Sequence, residues 1–82
     1  MTFTTIEAQI NILKDYADDT QFEALNKLHA QLNQAANAEW TKDELSNLIK
    51  SDDDVLDNFE KDTAFYEAVR EIQDGIILFF GT

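Results

Sequence analysis

The chain has no cysteine and no proline, and its two glycines, Gly75 and Gly81, both lie near the C-terminal end. Without cysteine there is no disulfide framework, no thiol nucleophile and no zinc site built on thiolates. A thiol-free chain also suits a reducing compartment. The first 74 residues contain no proline or glycine, so the turn chemistry that a sheet needs is missing, and helix is favoured. The longest unbroken apolar run is Ile76 to Phe80, far short of the ~20 residues that cross a bilayer as a helix. The opening MTFTTIEAQ has neither the basic nor the apolar region of a secretory signal. A soluble, cytoplasmic protein is expected.

Positive charge is the other scarcity. Six bases stand against seventeen acids, a net charge of −11 on 82 residues. Such a field repels nucleic acid and anionic lipid and attracts cationic surfaces. The expectation is a protein partner with a basic surface, with no direct nucleic acid and no membrane. Disorder is not indicated, because 44% of the residues are hydrophobic, with six Phe, two Tyr and one Trp. At this length one core is all that can form, so residues 1–82 are expected to make a single helical domain.

What is present reads as helix. Three capping-box signatures occur, Thr4 to Glu7, Thr20 to Glu23 and Thr41 to Glu44. In each, the threonine oxygen can accept the amide three residues on while the glutamate reaches back. Apolar residues follow at helical spacing: Ile6, Ile10, Leu13 and Ala17, then Phe22, Leu25, Leu28, Leu32, Ala35 and Ala36, with Lys27, Gln31 and Gln34 opposite. Leu45, Leu48 and Ile49 lead on to Val55, Leu56 and Phe59, and Phe65, Ala68, Val69, Ile72 and Ile76 form the last stripe. Asp18-Asp19 and Ala38 to Trp40 are the expected turns. The fold class is all-α, a small compact bundle of four short helices, five if 42–60 divides. A break at Ser51 is favoured there, because one continuous helix would turn Asp52 toward the core. Gly75 either stops a helix and leaves Ile76 to Phe80 extended, or sits inside a longer one.

Residues 51–62, SDDDVLDNFEKD, concentrate carboxylates. An EF-hand loop needs oxygen ligands at positions 1, 3, 5 and 12 and a glycine at 6. Counting from Asp52, position 5 is Leu56, position 6 is Asp57 and position 12 is Thr63, so that geometry is excluded. Polyanion mimicry has more support. Asp43 to Asp74 carry eleven acids and three bases, whereas the first 42 residues carry six and three. Duplex DNA displays one charge per ~1.7 Å of axis, and a helical surface rich in Asp and Glu is a sparser version of it. Asp52, Asp53, Asp54, Asp57, Glu60 and Asp62 are therefore the candidate partner-binding face. Against this stands the plain reading of a solvated surface.

The apolar residues Trp40, Phe79 and Phe80 are candidates for a second kind of contact, although Ile76 to Phe80 closing the bundle is the simpler account. His29 is the only histidine, so metal coordination has no imidazole or thiolate to add to it. Ser46 and Ser51 sit in no glycine elbow, and no glycine-rich loop exists to cradle phosphate. No enzymatic activity, no catalytic residue, no metal and no cofactor is expected.

Length, acidity and helix number resemble acyl carrier proteins, whose prosthetic serine lies in an Asp-Ser-Leu motif. That motif is absent, and Ser46 falls in Glu44-Leu45-Ser46-Asn47-Leu48, so the assignment is rejected. The profile also looks like phage-encoded inhibitors and toxin-immunity proteins, without a motif to carry it. The expected function is a small acidic non-enzymatic protein that occupies a basic site on a partner, of inhibitor, immunity or nucleic-acid-mimic type. The alternative is a structural or regulatory helical module that associates through apolar surface, as a homodimer or complex subunit.

Overall fold

A computed structural model describes residues 2–51 and 54–82. Four α-helices, α1 (Phe3–Lys14), α2 (Asp19–Asn37), α3 (Lys42–Ile49) and α4 (Ala64–Phe80), are joined by short turns and one 3-10 helix, Val55–Asn58. The all-α expectation holds. The described residues contain no strand, only an isolated parallel bridge between Trp40 and Gly81.

Helix starts follow the best available cap. Thr41 and Glu44 form the expected box, with Thr41 Oγ1 accepting from Glu44 N at 3.1 Å and Glu44 Oε1 accepting from Thr41 N at 3.0 Å. The other two boxes do not form. α1 is capped by Thr2, which accepts from Thr5 N at 3.2 Å. That start brings Phe3 onto the stripe of Ile6 and Ile10, against the core. Glu7 is spent on His29, whose Nε2 lies 2.8 Å from Glu7 Oε2. α2 is capped by Asp18 in a reciprocal box with Gln21, at 2.8 and 3.1 Å. Aspartate is a stronger N-cap than threonine, so Asp18-Asp19 is a helix start and the turn lies before it.

Buried side chains from every element form one cluster, including Ile6 and Ile10 of α1, Leu25, Leu28 and Leu32 of α2, Leu45 and Ile49 of α3, and Val69, Ile72 and Ile76 of α4. Val55, Leu56 and Phe59 plug it from the 3-10 helix. Three residues of α2 depart from expectation. Phe22 is 43% exposed, Ala36 at the end of the stripe is exposed, and Gln31 is buried. Gln31 lies at i+3 from Leu28 and i+7 from Ala24, on the buried side. Its Nε2 approaches the Leu48 carbonyl at 3.4 Å, one of the carbonyls left open at the end of α3.

The chain does break after α3. The cap that resumes helical structure is Asp54, not Ser51: its Oδ1 accepts from Leu56 N at 3.0 Å. Gly75 lies within α4, so Ile76 to Phe80 is helical. Continuous packing of Ile72 and Ile76 outweighs the ~1 kcal/mol that glycine costs a helix interior.

Candidate functional site

The connection from the 3-10 helix to α4 is built by local hydrogen bonds. Thr63 caps α4 by accepting from Tyr66 N at 3.1 Å and donates its hydroxyl to the Glu60 carbonyl at 2.7 Å. Phe59 is buried and stacks on Phe65 with centroids 4.9 Å apart. The chain between these anchors must reverse, and it does so at Asp62, whose φ is 64°. Aspartate is one of the few non-glycine residues that tolerate this region. The result is a short segment with both ends fixed and its charged side chains turned outward.

Glu60 and Asp62 are exposed on this segment and Asp57 on the 3-10 helix just before it, and none has an ion-pair partner among the described residues. Glu67 and Glu71 continue the exposed acids along α4. Asp54 belongs elsewhere. Partly buried, it accepts at Oδ1 from Leu56 N and from Gln73 Nε2, the latter at 2.8 Å. Its carboxylate is directed into the fold. Asp52 and Asp53 lie outside the described residues. The structure thus brings three of the six candidate acids together at the surface and gives a fourth a packing role.

The apolar candidates also separate. Trp40 packs on the core, and its indole Nε1 donates to the Gln34 carbonyl at 3.0 Å. Phe80 packs there too, edge-on to Phe79 with centroids 4.8 Å apart. Phe79 remains 48% exposed and Leu78 68% exposed, so closure of the bundle by the last turn of α4 rests on Ile76, Ile77 and Phe80.

Shallow depressions among the described residues include two that adjoin α4. The larger, about 390 Å³, lies between α3 and α4 and is lined by Lys42, Asp43, Ser46, Lys50, Asp74, Ile77 and Leu78. Lys50 and Asp74 are paired across it at 2.7 Å. Its lysines and acids balance, so it offers neither an anion nor a cation a converging set of charges. The smaller, about 170 Å³, lies between α1 and α4. Among the described residues no three of His, Asp or Glu converge as a metal site would require, and no helix is long and apolar enough to cross a membrane.

Sequence reasoning missed Gln73, fully buried on α4 and bonded to the acidic loop. Its signal was present, since Gln73 follows Val69 at i+4 and precedes Ile76 at i+3, inside the apolar stripe. Comparison with protein-family models, with curated proteins and with solved structures finds no match to this chain.

Proposed function

We propose that this protein is a small, acidic, non-enzymatic binding protein that occupies a basic site on a partner protein in the cytoplasm. Inhibition by imitation of a nucleic-acid backbone is the strongest form of that reading. The observation that carries it is the segment 57–62. Asp57, Glu60 and Asp62 are exposed and free of ion-pair partners among the described residues, Asp57 on the 3-10 helix and Glu60 and Asp62 on the backbone that Phe59 and Thr63 fix.

A fixed backbone matters because association costs the ordering of any flexible contact segment. Carboxylates that already project from an anchored turn lose less freedom when a cationic groove closes on them. A net charge of −11 adds long-range steering. It speeds encounter with a basic surface and repels nucleic acid that competes for the same groove.

The test is capture from lysate on the immobilised protein at low salt, with elution by a salt gradient. Bound partners should elute as salt rises, because charges are screened beyond ~8 Å at physiological ionic strength. They should be displaced by duplex DNA if the site is a nucleic-acid groove, and should be lost with the Asp57→Asn, Glu60→Gln, Asp62→Asn triple variant. Capture that is unchanged by high salt and by the triple variant would overturn the proposal.

A further inference from the structure

One base lies inside the acidic segment. Lys61 stands between Glu60 and Asp62, on the stretch whose ends Phe59 and Thr63 fix. It is exposed, and it makes no ion pair among the described residues. Lys50 shows the contrast, because it is paired with Asp74 at 2.7 Å and ties α3 to α4. Lys61 gives the fold no such tie. For a plain polyanion it is a defect, since it cancels one of the three carboxylate charges at residues 57–62.

A partner cannot easily avoid that defect. The four-carbon stem of lysine carries its ammonium further from the backbone than either flanking carboxylate reaches. Glu60, Lys61 and Asp62 also share one chain reversal, set by the φ of 64° at Asp62. A site that closes on the two acids therefore closes on the ammonium as well. Like charges brought together at an interface oppose binding strongly, and an ammonium buried without an opposite charge is costly. A uniformly basic groove would reject Lys61.

Given that segment 57–62 fills a basic site, as proposed above, we infer that this site carries carboxylates at its centre and that Lys61 is the specificity residue that meets them. Basic walls around a carboxylate centre are the chemistry of a metal-dependent nucleic-acid enzyme. Lysines and arginines hold the phosphates there, and carboxylates hold the divalent cation. In such a groove Asp57, Glu60 and Asp62 take the place of phosphates, and the Lys61 ammonium takes the place of the metal. A DNA-binding domain with only cations in its groove is disfavoured by the same residue.

The test takes the protein that the parent chain retains from lysate at low salt and binds it to single variants. Lys61→Glu makes the chain more acidic, so a plain polyanion would gain affinity. It should instead bind at least about tenfold more weakly. Lys61→Met, which is also more acidic than the parent, should lose affinity too. Lys42→Glu adds the same charge as Lys61→Glu on α3, outside the segment, and should bind at least as tightly as the parent. Raising Mg2+ at constant ionic strength should displace the parent more than Lys61→Met, because the ion and the ammonium compete for the same carboxylates. Thermal melts of the three variants check folding. Unchanged or tighter binding by Lys61→Glu overturns the inference and leaves the acidic segment as the contact. So does equal displacement of the parent and Lys61→Met by Mg2+. If capture is indifferent to the Asp57→Asn, Glu60→Gln, Asp62→Asn variant, the reading of the segment itself fails, and this inference with it.

Discussion

Gln73 is fully buried, yet only half of its amide is paired: Nε2 donates to Asp54 Oδ1 at 2.8 Å, while Oε1 has no partner. The amide is tolerable in the core because Asp54 takes one end of it, and Asp54 is held in turn by capping the 3-10 helix. Removing Asp54 therefore has two costs. The cap is worth about 1 kcal/mol, and the stranded Gln73 nitrogen adds roughly 1–3 kcal/mol. Asp54→Ala is expected to destabilise by about 2–4 kcal/mol in urea unfolding. In a Gln73→Leu background the same change should cost only about 1 kcal/mol, a coupling of at least ~1 kcal/mol in the double-mutant cycle. A coupling near zero would show that the bond does not form in solution. The cycle also separates Asp54, which holds the acidic loop, from Asp57, Glu60 and Asp62, which project from it.

At the scale of elements, α4 ends by docking its last residues beside the start of α3. Gly81 N donates to the Ile77 carbonyl at 2.9 Å, Thr82 N donates to the Trp40 carbonyl at 3.0 Å, and Lys42 N donates to the Thr82 carbonyl at 3.3 Å. A Cβ on Gly81 would collide with the Ile77 carbonyl oxygen and lie 2.6 Å from Lys42 Cγ and 3.0 Å from Lys42 Cα. The glycine is needed for close approach, since its φ of −76° suits any residue. Gly81→Ala should destabilise by about 1–3 kcal/mol, as overpacking does, and should alter the emission of Trp40, the sole tryptophan. Unchanged emission and melting would mean that this seam is not closed.

Periodicity made the helices themselves legible, because stripes such as Leu25, Leu28 and Leu32 record which side is buried. The boundaries were harder. Thr2, Asp18 and Asp54 are all acceptable caps by residue type, but neighbouring Thr4, Thr20 and Ser51 are too; tertiary demands on Phe3, Glu7 and Gln73 chose Thr2 and Asp54, and the stronger capping of aspartate chose Asp18. The continuation of α4 through Gly75 was equally a tertiary choice. In the candidate site, clustering of acids along the chain was visible. The inward turn of Asp54 was not, because its partner lies nineteen residues away on another helix.

For the molecule as a whole, the carboxylates of residues 57–62 carry opposite implications for stability and for binding. Seventeen acids lie within a globule whose Cα radius of gyration is 11.8 Å, close to the ~10 Å screening length at 0.1 M salt. Their repulsion thus acts across the entire protein at low salt and fades as salt is added. If Asp57, Glu60 and Asp62 serve a partner, nothing in the fold should need them. The Asp57→Asn, Glu60→Gln, Asp62→Asn variant should then melt roughly 2–5 °C higher than the parent at ~10 mM salt, with the gap closing near 1 M, because it relieves repulsion and breaks no ion pair described. Thermal melts of both proteins across a salt series measure this. A variant that melts lower at every salt concentration would mean that these side chains hold the loop. The acidic segment would then be a structural feature, and its free charge would no longer support the proposed partner.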